Sequence, residues 1–278
     1  MPFVATTRCR VFHAAIIMSD YYAIAFGDHA PWLIAYGCAV VFVCAIVRGF
    51  SGFGFSLLAI TAISLLMPPA AVIPSIFMLE VTASLHLLPS VRKDVHWRSL
   101  IWLIVGCLIA TPFGVWALAA VPEAPMKIAM AIFVLVAAVA FARGFRLQRM
   151  PGTATTFATG LATGVANGGF GMAGPPVVLF YFGSPAGNEA GRASLIAFFI
   201  ATDVMGLGYL GAAELVTWDS LRLALWFVLP LLAGVTLGAR GFIHMDEARF
   251  RWWVLRILMV LGALALATGV LQLVRGAA

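Results

Sequence analysis

The stretch Arg48-Gly49-Phe50-Ser51-Gly52-Phe53-Gly54-Phe55-Ser56 sets a cation and three glycines into an otherwise apolar run. Glycine is unfavourable inside a helix because it surrenders the most backbone freedom on ordering, so the stretch predicts an interruption. A second such stretch, Asn167-Gly168-Gly169-Phe170-Gly171-Met172-Ala173-Gly174-Pro175-Pro176, again has apolar sequence on both sides. Two matched interruptions in one hydrophobic chain point to a membrane site built from broken helices.

Lipid must be the main solvent of such a chain. Of 278 residues 63% are hydrophobic and 10% charged, with mean hydropathy +1.05, more apolar surface than a soluble domain of this length can bury. The polar segments between apolar runs leave no room for a separate catalytic domain. The net charge of +6 is scattered in small groups at span ends, a topology signal of an inner membrane protein rather than a nucleic-acid surface. Lipid and a small anion are the expected partners. Cys9, Cys38, Cys44 and Cys107 have no ligand spacing and read as inert thiols. Zincin, P-loop and Ser/His/Asp patterns are lacking, so no metal, cofactor or enzyme chemistry is expected.

The expected fold is all-α, a polytopic helical membrane protein of two inverted repeats, each a glycine-broken hairpin followed by three transmembrane helices. Residues 1–30 form an uncertain N-terminal segment, in which Arg8 and Arg10 precede a run interrupted by Asp20 and Met18 is an alternative start. No cleavage motif marks it as a signal peptide. Residues 31–149 make the first repeat and 150–278 the second. The apolar arm before Arg48 has 17 residues, about 25 Å of helix, and the arm Thr153 to Ala166 has 14, about 21 Å. A hydrocarbon core is about 30 Å thick, so each glycine turn reads as a hairpin tip inside the membrane, or else as the joint of two short tilted spans. Three spans follow each tip: Ala70 to Pro89, Ser99 to Val121 and Met126 to Ala142, then Ala190 to Ala213, Leu221 to Ala239 and Phe250 to Val274. Asp94-Val95-His96-Trp97-Arg98-Ser99-Leu100 matches Leu215-Val216-Thr217-Trp218-Asp219-Ser220-Leu221, and Val121-Pro122-Glu123-Ala124 matches Met245-Asp246-Glu247-Ala248, with the join near Arg149 to Gly152. Arg92, Lys93 and Arg98, then Arg143, Arg146 and Arg149, then Arg240, Arg249 and Arg251, mark cytoplasmic loops, while the loops with Glu123, Glu214 and Asp219 are outside. The first hairpin then enters from outside and the second from inside.

Chemistry is expected at the tips. The half-helices starting near Phe55 and Met172 direct unpaired N–H groups and positive dipole ends at the midplane, where they can hold an anion. Close packing through small residues is the alternative. Arg48, costly to bury alone, either clamps an oxyanion or pairs with a carboxylate such as Glu80. Glu80 and Asp203 are candidate proton relays or ion-pair partners, and His86 falls on another face from Glu80. Arg192 reads as snorkelling to headgroups. Ser51, Ser56, Asn167 and Thr202 can donate to an oxyanion. The candidate substrate-binding set is Arg48, Ser51, Gly52, Phe53, Gly54, Asn167, Gly168, Gly169, Phe170 and Gly171.

RGFSGFGFSLLAI and GLATGVANGGFGMAGPPVV resemble the paired glycine motifs of the TauE/SafE-type sulfite exporters, and the likeness runs from about Pro31 onward in both halves. The resemblance implies a bacterial inner membrane carrier for sulfite, sulfoacetate or a related sulfonate. It carries over Gly52, Gly54, Gly169 and Gly171 as turn residues. The expectation is a secondary anion transporter, exporting by alternating access and possible as a homodimer. An anion channel, a membrane-embedded enzyme and an assembly subunit without transport are the alternatives. Arg48→Ala is expected to abolish flux and leave expression intact.

Overall fold

Each glycine stretch ends a long helix and precedes a short one. The structure, a computed structural model, describes residues 30–144, 150–185, 188–241 and 247–276. Expectations for residues 1–29, for Arg146 and Arg149, and for Met245 and Asp246 lie outside the described residues. Among the described residues, α1 (Pro31–Ser51) is followed by α2 (Phe55–Ile63), α3 (Pro69–Val91), α4 (Trp97–Ala120) and α5 (Glu123–Arg143). Then come α6 (Thr153–Phe170), α7 (Gly174–Gly183), α8 (Asn188–Ala212), α9 (Trp218–Gly241) and α10 (Glu247–Gly276). A single 3-10 turn, Arg92–Asp94, joins α3 to the loop before α4.

The caps explain where the long helices stop. Gly52 closes α1 in the left-handed region at φ +79, its N–H donating to Arg48 O at 2.7 Å, and Gly54 at φ +89 opens α2. Gly171 at φ +67 closes α6 in the same way, its N–H on Asn167 O at 2.9 Å. The long arms outrun the expectation. α1 has 21 residues, about 31 Å, and α6 has 18, about 27 Å, because Arg48 to Ser51 and Asn167 to Phe170 stay helical. Tertiary packing overrides glycine's poor propensity there: a Cβ on Gly49 would lie 2.8 Å from Ala239 N, and one on Gly168 2.7 Å from Val115 N. α2 and α7, of 9 and 10 residues, are half-helices of about 14–15 Å. Tyr36 Oη donates to Ala62 O at 2.9 Å, tying the start of α1 to the end of α2, so α2 doubles back along α1.

Among the described residues, seven helices are long and apolar enough to cross a bilayer: α1, α3, α4, α5, α8, α9 and α10. Most are longer than the spans expected from hydropathy, since polar end residues such as Trp97 and Glu123 continue the helix into the interface. Inter-helix contacts set the directions. α1 runs parallel to α9, with Gly37 against Phe227 and Gly49 against Ala239. α4 runs parallel to α6, with Gly106 against Leu161 and Gly114 against Gly169. α3 and α8 are antiparallel, Phe77 meeting Gly206 while Arg48 bridges Ser84 and Phe199. α5 and α10 are antiparallel too, Leu135 against Gly262 and Ile128 against Gly269. Ser75 Oγ donates to Ser220 O at 2.8 Å and His96 N–H to Ser194 Oγ at 2.9 Å, so α3 starts beside α9 and α4 beside α8.

Candidate functional site

Arg48 occupies the last turn of α1 and is fully buried. Its Nη2 lies 3.0 Å from Glu80 Oε2 and donates to Ser84 Oγ at 2.6 Å. Its Nη1 donates to Gly52 O at 2.8 Å, and the guanidinium carbon stands 4.5 Å from the centroid of the Phe199 ring. Glu80 Oε1 accepts the Ser56 N–H at 3.1 Å, which caps one of the donors α2 leaves unsatisfied in its first turn. A single carboxylate thus holds both sides of the first break. Of the two readings of Arg48, the structure displays the ion pair with Glu80.

The rest of the first tip is self-bonded. Ser51 Oγ lies 2.8 Å from both Val47 O and Phe53 O and accepts the Phe53 N–H at 3.3 Å, so its hydroxyl closes the turn. The Phe53 ring leans on Phe182 and Phe141, with centroids 5.7 and 6.2 Å away. Arg192, expected to snorkel, instead points at this tip from the start of α8. Its Nη2 donates to Gly49 O at 3.0 Å, and its Cγ would lie 2.7 Å from a Cβ on Gly52. Nothing in linear sequence signals this, because the two are joined only by the packing of α1 on α8.

The second tip is assembled differently. Asn167 is fully buried, its Nδ2 donating to Thr202 O at 3.2 Å while its Oδ1 has no hydrogen-bond partner. Gly168 faces the α4 backbone and Gly169 sits near Gly114 O, so both serve the α4–α6 contact. Phe170 packs on Phe133 at 5.3 Å. A Cβ on Gly171 would lie 2.6 Å from Ile60 Cδ1 and 3.0 Å from Ile73 Cγ2. Phe199, Thr202, Asp203 and Gly206 form one stripe of α8, since residues three and four apart share a helix face. This stripe faces Phe77, Glu80 and Ser84 on α3. Asp203 is buried at 2% exposure, within electrostatic range of Glu80 and Arg48, and its Oδ2 makes no hydrogen bond.

At both helix starts part of the donor set that the sequence suggested is already taken or lacking. Glu80 already takes Ser56 N–H at α2, and Pro175 and Pro176 remove two first-turn N–H groups from α7. The first tip therefore concentrates the charge, through Arg48 and Arg192, while the second presents an uncharged amide. Among the described residues, no group of three His, Cys, Asp or Glu side chains is placed to hold a metal.

Against known proteins, residues 37–265 match the family described as "Sulfite exporter TauE/SafE". The chain is 24% identical over 163 residues to a "Probable sulfite/organosulfonate exporter TauE" of Cupriavidus necator, a match covering 57% of this chain and 63% of that protein. The chain thus spans less than two thirds of that relative's length. No solved structure matches. The family and the seven apolar helices among the described residues make this a multi-pass bacterial membrane protein. With the match taking in both glycine tips and every helix between them, the chain belongs to the TauE/SafE sulfite exporter family.

Proposed function

We propose that the protein is a secondary carrier moving a small sulfur-containing or organic oxyanion, such as sulfite, sulfoacetate or a related sulfonate, outward across the bacterial inner membrane. The observation that carries this reading is the convergence of two guanidinium groups, from different halves of the chain, on the tip of the first hairpin. Both Arg48 and Arg192 spend hydrogen bonds on neutral carbonyls there, Gly52 O and Gly49 O. An oxyanion there can engage a guanidinium in short, bidentate bonds and adds a charge–charge attraction that a neutral carbonyl lacks. Arg48, Gly52, Phe53 and Gly54 are the proposed contacts from the first tip, joined by Arg192, with Ser51 shaping the turn. Asn167, Phe170 and Gly171 are proposed to line the opposite tip.

Alternating access is supported by the pairing of elements. Exchanging the five helices of one half for those of the other turns the α1–α9 contact into the α6–α4 contact, and both are parallel. The corresponding helices α3 and α8 run antiparallel, as do α5 and α10. Antiparallel equivalents are what an axis in the membrane plane generates, so inverted repeats rocking about the tips are the proposed cycle. A cell interior at negative potential favours export of one anionic charge by about 2.3 kcal/mol per 100 mV.

The test is flux in proteoliposomes at clamped potential, with radiolabelled sulfite, sulfoacetate and chloride. Saturable counterflow of one sulfur oxyanion supports the carrier. Conductance without counterflow is the signature of a channel, and no flux of any solute overturns both.

A further inference from the structure

We infer that Asp203 carries a proton in the transport cycle and that proton and anion cross together, while Glu80 stays paired with Arg48. The inference rests on the carrier reading above and assigns separate tasks to its two buried carboxylates. Glu80 has its charge compensated twice, by Arg48 at 3.0 Å and by the Ser56 N–H at 3.1 Å. Asp203 is as deeply buried, yet Oδ2 has no hydrogen-bond partner.

Among the described residues, the groups around Asp203 supply no free counter-charge. From α3 it faces Glu80, of like charge; from α1, Arg48, which Glu80 already engages; from α4, the neutral Cys107 thiol. α6 presents the uncharged amide of Asn167, which bonds to the neighbouring Thr202 carbonyl. On its own helix Arg192 is three turns away, bonded at the first tip. Tyr181 of α7 and His96 of the loop before α4 cluster with Ser99 and Ser194, nine residues and about 13 Å along α8. A buried carboxylate in this position is costly as an ion and avoids the cost by binding a proton.

The sign of the coupling follows from charge. An oxyanion arriving at the Arg48 tip adds negative charge beside Asp203 and strengthens its hold on a proton. By linkage, protonated Asp203 binds the anion more tightly in return, which is co-transport in one direction. The step balances simply: a proton from water on the loading side forms the Oδ2–H bond, and the same proton returns to water on the far side after the anion leaves. A monovalent anion then crosses without net charge, and a dianion with one negative charge.

Sulfoacetate is a suitable probe, because its charge does not change between about pH 6 and pH 8. In proteoliposomes holding a luminal pH dye, wild-type net sulfoacetate flux is expected to carry protons in fixed proportion and to rise as the loading side is acidified. Asp203→Asn, which mimics the protonated form, is expected to lose proton movement and net flux while sulfoacetate exchange stays measurable. Proton movement persisting in Asp203→Asn, or wild-type net flux without protons, overturns the inference and leaves the carrier intact. Absence of counterflow in the wild type overturns both. If Asp203→Asn does not assemble, Asp203→Glu is expected to keep coupling with a shifted pH profile, and an unshifted profile counts against Asp203.

Discussion

At the scale of single residues, Arg48 and Glu80 behave as one unit. Arg48 holds three hydrogen-bonded or ionic partners and an aromatic face, so its removal leaves Glu80 as a buried charge with only the Ser56 N–H. The sequence-based expectation that Arg48→Ala leaves expression intact is therefore revised. Breaking such a pair costs about 3–5 kcal/mol, and Arg48→Ala is expected to lower both yield and Tm in detergent. Replacing both partners, Arg48→Met with Glu80→Leu, is expected to recover most of the Tm and still give no anion flux, which separates folding from transport. Gly52 supplies a second case. At φ +79, with Arg192 Cγ 2.7 Å from an added Cβ, Gly52→Ala is expected to cost about 1–2 kcal/mol in thermal melts. Gly152→Ala is the control, expected to fall within about 0.5 kcal/mol, since nothing lies within 4 Å of its added Cβ. Arg48 and Glu80 stood out in the sequence because charges in apolar runs are rare. Arg192 stood out too but was expected to reach headgroups, and Ser84 and Phe199 gave no signal, since each joins the site only through contacts between helices distant in sequence.

At the scale of elements, the α4–α6 contact shows why some glycines of the second motif belong to packing. Gly160, Gly164 and Gly168 recur at intervals of four, placing them on one face against the α4 backbone. A Cβ on Gly164 would lie 2.5 Å from Cys107 O and 2.8 Å from Ala110 Cβ. Gly164→Leu is expected to force the helices apart and destabilise by about 1–3 kcal/mol or more, read as a lower Tm with the helical signal retained at low temperature. The interval of four was present in the sequence, whereas the face it would meet was not. The same packing keeps Gly168 and Gly169 helical, which is why the second interruption falls at 171–173 rather than at the first glycines of its motif.

At the scale of the whole molecule, the proposed inverted topology assigns each loop to one face of the membrane. If α2, doubling back along α1, lets α3 start on the face that α1 entered, and α3, α4 and α5 each cross the membrane, α6 enters from the opposite face, and the antiparallel α3 and α8 accord with this. In a cysteine-free background, a cysteine at Lys93 is expected to react with an impermeant maleimide only from the cytoplasmic face. One at Glu214 or Asp219 is expected to react only from outside. Labelling of all three from one face would remove the inverted topology and with it the proposed cycle.

Sequence alone determined the solvent, the helical class, the places where two helices break, and the family. These follow from composition, from glycine's backbone freedom and from a motif, all of them properties of residues and their near neighbours in the chain. Tertiary structure alone decided what the breaks contain. Whether Arg48 faces a carboxylate, whether a helix N-terminus is open or capped, and whether Arg192 reaches lipid or a hairpin tip depend on which helices pack together. A buried charge announces that it needs a partner, but only the fold brings Glu80 to Arg48 and leaves Asp203 Oδ2 without one.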